Sequence, residues 1–131
     1  PILKHIHLED YTIHRTDLGY RFKRCALGDG VVNWKQMLSF FDNEVPNVQG
    51  CIELGASQAR HVRILESDYW ATYESRPLEE NLSALRTLHR AQQPLTEDWK
   101  TPHERGQGPA VCAEYEIQQF YRSVDFLETI T

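Results

Sequence analysis

Long apolar runs are missing from this chain. No stretch of its 131 residues approaches the roughly 20 apolar residues that cross a bilayer. Lys4, His5 and His7 interrupt the only apolar segment near the start, so no signal-peptide pattern is present. Cysteine is scarce. The three residues Cys25, Cys51 and Cys112 are odd in number and widely spaced, which excludes a disulfide framework or a cysteine zinc cluster and implies reduced thiols in a cytoplasmic protein. Positive charge is not in excess either. The net charge is -5 with acids and bases interspersed, so the basic patch of a nucleic-acid-binding face is lacking. An active site that meets phosphate through a metal stays compatible with that balance. Internal repeats and low-complexity tracts are absent. What is present is an apolar fraction of 40%, enough for a core, in a length typical of one domain.

The pattern along the chain is α/β. Alternation predicts a strand over residues 2–8, with Leu3, His5 and His7 on one face and Ile6 and Leu8 on the other. Residues 11–24 read as a hairpin turning at Asp17-Leu18-Gly19. A loop from Leu27 to Val32 carries Gly28-Asp29-Gly30, which allows close backbone approach to a ligand. Asn33 is placed to cap a helix whose stripe is Trp34, Met37, Leu38 and Phe41, and Pro46 lies beyond it. A second strand spans residues 50–54, with Cys51 and Glu53 on one face and Ile52 and Leu54 on the other. Strand, helix, strand is the βαβ pattern, and chemistry in such folds sits at the carboxyl ends of the strands.

Further on, Ser57 is expected to cap a short helix containing Ala59, Val62, Ile64 and Leu65. Tyr69, Trp70 and Tyr73 form an aromatic packing cluster rather than a sugar platform. Pro77 opens a helix with a core stripe of Leu78, Leu82, Leu85 and Leu88. Residues 93–109 read as loop. A long helix from about Ala110 to Glu128 presents Ala113, Ile117, Phe120, Tyr121, Val124 and Leu127 on one face. Two core strands make a poor parallel sheet, because such sheets need partners on their edges and faces. Together with an opening at Pro1 directly in a strand, this points to a part of something larger.

His7 and Glu53 stand out as metal-capable side chains, each ending a short apolar run. A histidine on a strand is more often a satisfied core residue than a ligand. Glu53 is less easily dismissed, since a buried unpaired carboxylate is costly. His5 shares the face of His7 one layer deeper and reads as structural or supporting. Asp10 reads equally as a supporting residue or a loop acid. Arg15, His14, Arg60 and His61 are candidates to contact substrate oxygens or phosphate, against the plainer reading of solvated loop charges.

The segments HIHLED at 5–10, LGDGVVNW at 27–34 and CIELG at 51–55 resemble the C-terminal quarter of a sugar phosphate isomerase/epimerase of the xylose-isomerase-like (β/α)₈ TIM-barrel superfamily, and RHVRILESDYW at 60–70 extends the likeness. The resemblance covers essentially the whole chain as one segment of a single barrel domain. It implies that residues 1–55 hold the seventh and eighth barrel strands with their intervening helix, and that 56–131 form a helical C-terminal extension. It implies a divalent metal ion (Mn, Mg, Co or Zn) held by a Glu, an Asp, a His and a second Glu on successive strands. His7 matches the histidine and Glu53 the second glutamate. The two earlier ligands have no counterpart here. Glu9 stands where relatives often carry Lys or Asn, which bears on substrate choice. Asn33 replaces a usual Asp, and both cap helices.

The implied chemistry is isomerisation or epimerisation of a sugar or sugar phosphate by proton transfer beside a carbonyl, with Glu53 as ligand and acid/base; Arg15, Arg60 and His61 are the candidate substrate contacts on the residues' own charge, not on the resemblance. The missing N-terminal part of the barrel is the first expected partner, and the segment alone is expected to be inactive. A homo-oligomer is compatible; nucleic acid and membrane are not expected partners. A non-enzymatic module docking through exposed strand edges is the alternative. An endonuclease IV-like DNA repair role is disfavoured, because it would call for more histidines and a basic groove.

Overall fold

The structure is a computed structural model that describes residues 3–94 and 99–130. Ile2 of the expected first strand and residues 95–98 of the expected loop lie outside the described residues. Strands β1 (His5–Leu8) and β4 (Gln49–Ile52) pair in parallel, in the register His5–Gln49, Ile6–Gly50, His7–Cys51 and Leu8–Ile52. Between them run the hairpin β2 (Asp10–Thr16) and β3 (Gly19–Cys25), then helix α1 (Trp34–Glu44). The hairpin is the centre of a four-stranded sheet ordered β5-β3-β2-β6, where β5 is Arg60–Val62 and β6 is Gln92–Gln93. A 3-10 turn (Ser67–Trp70), helix α2 (Leu78–Ala91) and helix α3 (Pro109–Ile130) complete the described chain. No helix among the described residues is long and apolar enough to cross a membrane.

Alternation on β1 and β4 decides where the core lies. Ile6, Leu8 and Ile52 turn inward and pack with Leu27, Val32 and Trp34 and with Phe126, Leu127 and Ile130 of α3. Full burial of such side chains contributes about 2 kcal/mol each. Asn33 caps α1 as expected, its side-chain oxygen accepting from the Gln36 amide at 3.2 Å. Of the α1 stripe, however, only Trp34 is buried. Leu38 and Phe41 are half-buried, and Met37 is exposed.

Asp10 ties these pieces together. Its carboxylate is 1% exposed and accepts from the amides of Tyr11 (2.9 Å), Gly28 (3.0 Å), Gly30 (3.3 Å) and Val32 (3.2 Å) and from the indole N–H of Trp34 (2.9 Å). Gly28 adopts a φ of +88°, and a Cβ there would meet the ring of Phe126. A Cβ on Gly30 would fall onto the Asp10 carboxylate. The Gly28-Asp29-Gly30 loop therefore wraps a carboxylate of its own chain, and both glycines are explained without a ligand.

Three expectations are corrected. The segment after Ser57 is not a helix: Arg60–Val62 pairs antiparallel with β3, Phe22 opposite Arg60 and Tyr20 opposite Val62. The open edge of β3 needs backbone partners, and β-branched Val62 suits an extended chain. The leucine stripe of α2 is not core, since no residue of that helix is buried and Leu78 and Leu82 are exposed. Helix α3 does not bury the face read from its apolar spacing. Ile117, Phe120 and Tyr121 are exposed, whereas Gln119 and Ser123 are buried. The hydroxyl of Ser123 accepts from the Leu27 amide at 3.0 Å, and Glu116 accepts from the Ala56 amide at 2.6 Å. Leaving buried amides unpaired costs more than exposing a few apolar side chains, so α3 docks by its polar side and uses only its last turns in the core. The aromatic cluster is present as packing, with Tyr69, Trp70 and Tyr73 rings 5.2–5.7 Å apart.

Asp10→Asn keeps the shape but turns an NH₂ group toward N–H donors. A loss of about 3 kcal/mol is expected, read as a lower urea midpoint. A second expectation concerns His14, which is buried and bonded through Nε2 to the Thr12 hydroxyl at 2.9 Å. Burial holds its pKa below the usual histidine value. The unfolded chain then binds the proton more readily, so the stability His14 contributes is present above about pH 6.5 and is lost as pH falls below it. The drop in urea midpoint on acidification should be shallower in His14→Gln.

Candidate functional site

The outward face of the parallel pair is polar. His5 and His7 lie there by alternation on β1, and register sets Cys51 beside His7. Glu53 follows β4 and extends the ladder by one step, its amide donating to the Leu8 carbonyl at 3.0 Å. This fixes Glu53 next to His7, and the His7 Nδ1–H donates to the Glu53 Oε2. The two residues singled out as metal-capable thus meet at the carboxyl ends of adjacent parallel strands. Their donor atoms are close enough to face one cation.

The other Glu53 oxygen accepts from Arg24 at 3.0 Å. Arg24 reaches over from β3 and also donates to Glu9 at 2.6 Å and to the Tyr11 hydroxyl at 3.2 Å. Tyr11 donates in turn to the second oxygen of Glu9. Tyr11 and Arg24 are cross-strand neighbours in the hairpin, so they share a face. One guanidinium therefore bridges two carboxylates. All four side chains are partly open to solvent, His7 most of all with 57% of its side chain exposed, so these pairs orient side chains more than they stabilise the fold.

Electrostatics sorts the roles. The hydrogen bond from His7, reinforced by the Arg24 charge, holds the Glu53 carboxyl below the ordinary carboxylate range. Glu53 is accordingly ionised at neutral pH, which suits a metal ligand and weakens it as a base. Burial, then the bond to Glu9, pushes the Tyr11 phenol up, so it keeps its proton. Burial and the nearby Asp10 and Asp29 carboxylates push the Cys25 thiol up to about 12, which makes it inert. Cys51 is exposed.

The remaining candidates scatter. Arg60 lines a small cleft of about 240 Å³ with Tyr11, Phe22, Arg24 and Ser57, beside the His7–Glu53 pair. Arg15 is exposed toward the other end of the hairpin, near Arg86, His89 and Arg90 of α2. His61 is bonded to the Thr16 hydroxyl at 2.9 Å, and burial lowers its pKa. Neither Arg15 nor His61 is gathered with His7 and Glu53. Asp10 holds the loop and does not reach the site. Sequence reading gave Arg24 and Tyr11 no role. The signal was available in the hairpin register, since a turn at residues 17–19 sets Tyr11 opposite Arg24.

Replacing Arg24 by Gln removes the positive charge between Glu9 and Glu53. The Glu53 carboxyl should then titrate at higher pH, as followed by carbon-13 NMR of its side chain. An unmoved titration would mean that the guanidinium does not set its charge.

No family model, curated protein or solved structure matches the chain, so the functional reading stands on the geometry of its own residues.

Proposed function

We propose that this chain provides the His7–Glu53 half of a divalent-metal centre in a cytoplasmic sugar or sugar phosphate isomerase/epimerase built on a (β/α)₈ barrel. One observation carries the reading: an imidazole and an ionised carboxylate touch at the carboxyl ends of two adjacent parallel strands. Donors in contact are near the separation of two ligands on one ion, about 3 Å for bonds of about 2.1 Å. When bound, a Mn, Mg, Co or Zn ion would supply Lewis-acid polarisation of the sugar carbonyl. His7 serves as a neutral imidazole ligand. Glu53 serves as the anionic ligand, and its lowered pKa makes its second role, carrying a proton beside the carbonyl, the weaker of the two. Arg24 holds Glu53 and Glu9 in place, and Arg60 offers positive charge to a hydroxyl or phosphate at the cleft. Catalytic zinc sites use three protein ligands, so turnover is proposed to need donors beyond these two, and the isolated 131-residue chain to be inactive.

A second reading has its own support. Among the described residues the β1–β4 pair is a sheet of only two strands, and an apolar groove along β1 is lined by Ile6, Leu8, Val32, Trp34, Met37 and Phe41. Open strand edges beside such a groove suit a docking module.

Metal analysis of the full gene product beside its His7→Ala and Glu53→Gln variants tests the first reading. Metal is expected to be lost in both. Deuterium should wash in from D₂O beside the carbonyl of a ketose or aldose phosphate with the parent protein and not with the variants. Stoichiometric metal retained by both variants removes the proposed centre.

A further inference from the structure

We infer that His5, His7 and Cys51 form a binding site for a thiophilic divalent cation of the Zn²⁺ class, held by two imidazole nitrogens and one thiolate. The arrangement follows from backbone regularities. Residues two apart on β1 share a face, and the parallel register puts Cys51 opposite the second of them. One ligand atom from each of the three residues lies within 4.8 Å of the others. Zn–N bonds of about 2.0–2.1 Å and Zn–S bonds of about 2.3 Å require tetrahedral donors about 3.3–3.7 Å apart. The side chains must therefore close by about 1 Å, a matter of side-chain torsions in three exposed residues. The two imidazoles already stand edge to face, with ring centres 5.5 Å apart. Beneath them the backbone is held by the β1–β4 ladder and by Leu8 and Ile52 in the core. Closure thus costs little main-chain order.

Glu53 completes the arrangement. Because the Nδ1–H of His7 donates to Glu53, Nε2 is the nitrogen left for a metal. A ligating histidine commonly donates its other N–H to a carboxylate, which fixes its tautomer and orientation. Two nitrogens and a sulfur favour Zn²⁺ or Co²⁺ over Mg²⁺ or Mn²⁺. Binding releases the Cys51 thiol proton to solvent, and three protein ligands leave a coordination position open. The inference does not rest on the isomerase reading. There Glu53 is itself a ligand, whereas here it orients His7.

Titration of Co²⁺ into the reduced 131-residue chain distinguishes the two. A thiolate-to-cobalt charge-transfer band in the near ultraviolet is expected to saturate at about one equivalent and to be bleached by Zn²⁺. Cys51→Ser should abolish the band, and His5→Ala should weaken binding. Cys112→Ser should leave the band unchanged. Glu53→Gln should keep the band with binding weakened about tenfold. Circular dichroism should be unchanged in each variant, since the substituted side chains lie outside the core. A missing band, or one that survives Cys51→Ser, overturns the site. Cobalt bound without a band and lost in Glu53→Gln also overturns it, and instead supports direct ligation by His7 and Glu53.

Discussion

The buried carboxylate of Asp10 is the constraint on which the rest of this structure depends. Four backbone amides and an indole N–H converge on it, three of the amides coming from every second residue of the loop that follows β3. An ionised acceptor can satisfy this many donors where a neutral one cannot, and each charge-assisted bond is worth more than a neutral one. The loop so gathered starts α1 at Trp34 and presents Leu27 to the core. It also presents the Leu27 amide to Ser123, and Asp29 pairs with Arg122 of α3. One acid at the start of β2 thereby connects the first strand, the hairpin, α1 and the last helix.

That framework leaves the opposite face of the parallel pair free for chemistry. Its inward side chains Ile6, Leu8 and Ile52 pack on the core, so its outward ones need satisfy only one another and solvent. They do so through an unusual concentration of titratable groups: two histidines, a cysteine, two glutamates, a tyrosine and an arginine within a few strand positions. The hydrogen bond from His7, reinforced by the charge of Arg24 that bridges Glu9 and Glu53, keeps Glu53 ionised and available as a ligand while making it a poorer proton acceptor. The same face can offer a hard pair, His7 with Glu53, or a softer trio, His5, His7 and Cys51. His7 belongs to both, and the role of Glu53 separates them.

Much of this was legible beforehand, and the legible parts share a cause. Period-two alternation put His5 and His7 on one face of β1 and Cys51 and Glu53 on one face of β4, and the register then joined the two faces. The turn at residues 17–19 and the Asn33 cap are local signals, and the hairpin and α1 formed where those signals lie. What was misread involves elements whose position depends on distant partners. The segment after Ser57 is a strand because the edge of β3 is there to receive it. Helix α3 turns its polar side inward because the amides of Leu27 and Ala56, far away in sequence, need acceptors. Asp10 looked like a supporting acid or a loop acid, and its donors come mostly from 18 to 24 positions further on.

By itself, then, the sequence determined which residues are extended or helical over short ranges and which side chains share a face, since those properties follow from backbone periodicity and local hydrogen bonding. Only the tertiary structure decided which faces are buried, that Glu53 touches His7 while Arg24 claims its second oxygen, and that the glycine loop encloses Asp10 rather than a ligand. Those outcomes depend on satisfying buried polar groups between segments remote in the chain, and no local pattern encodes that.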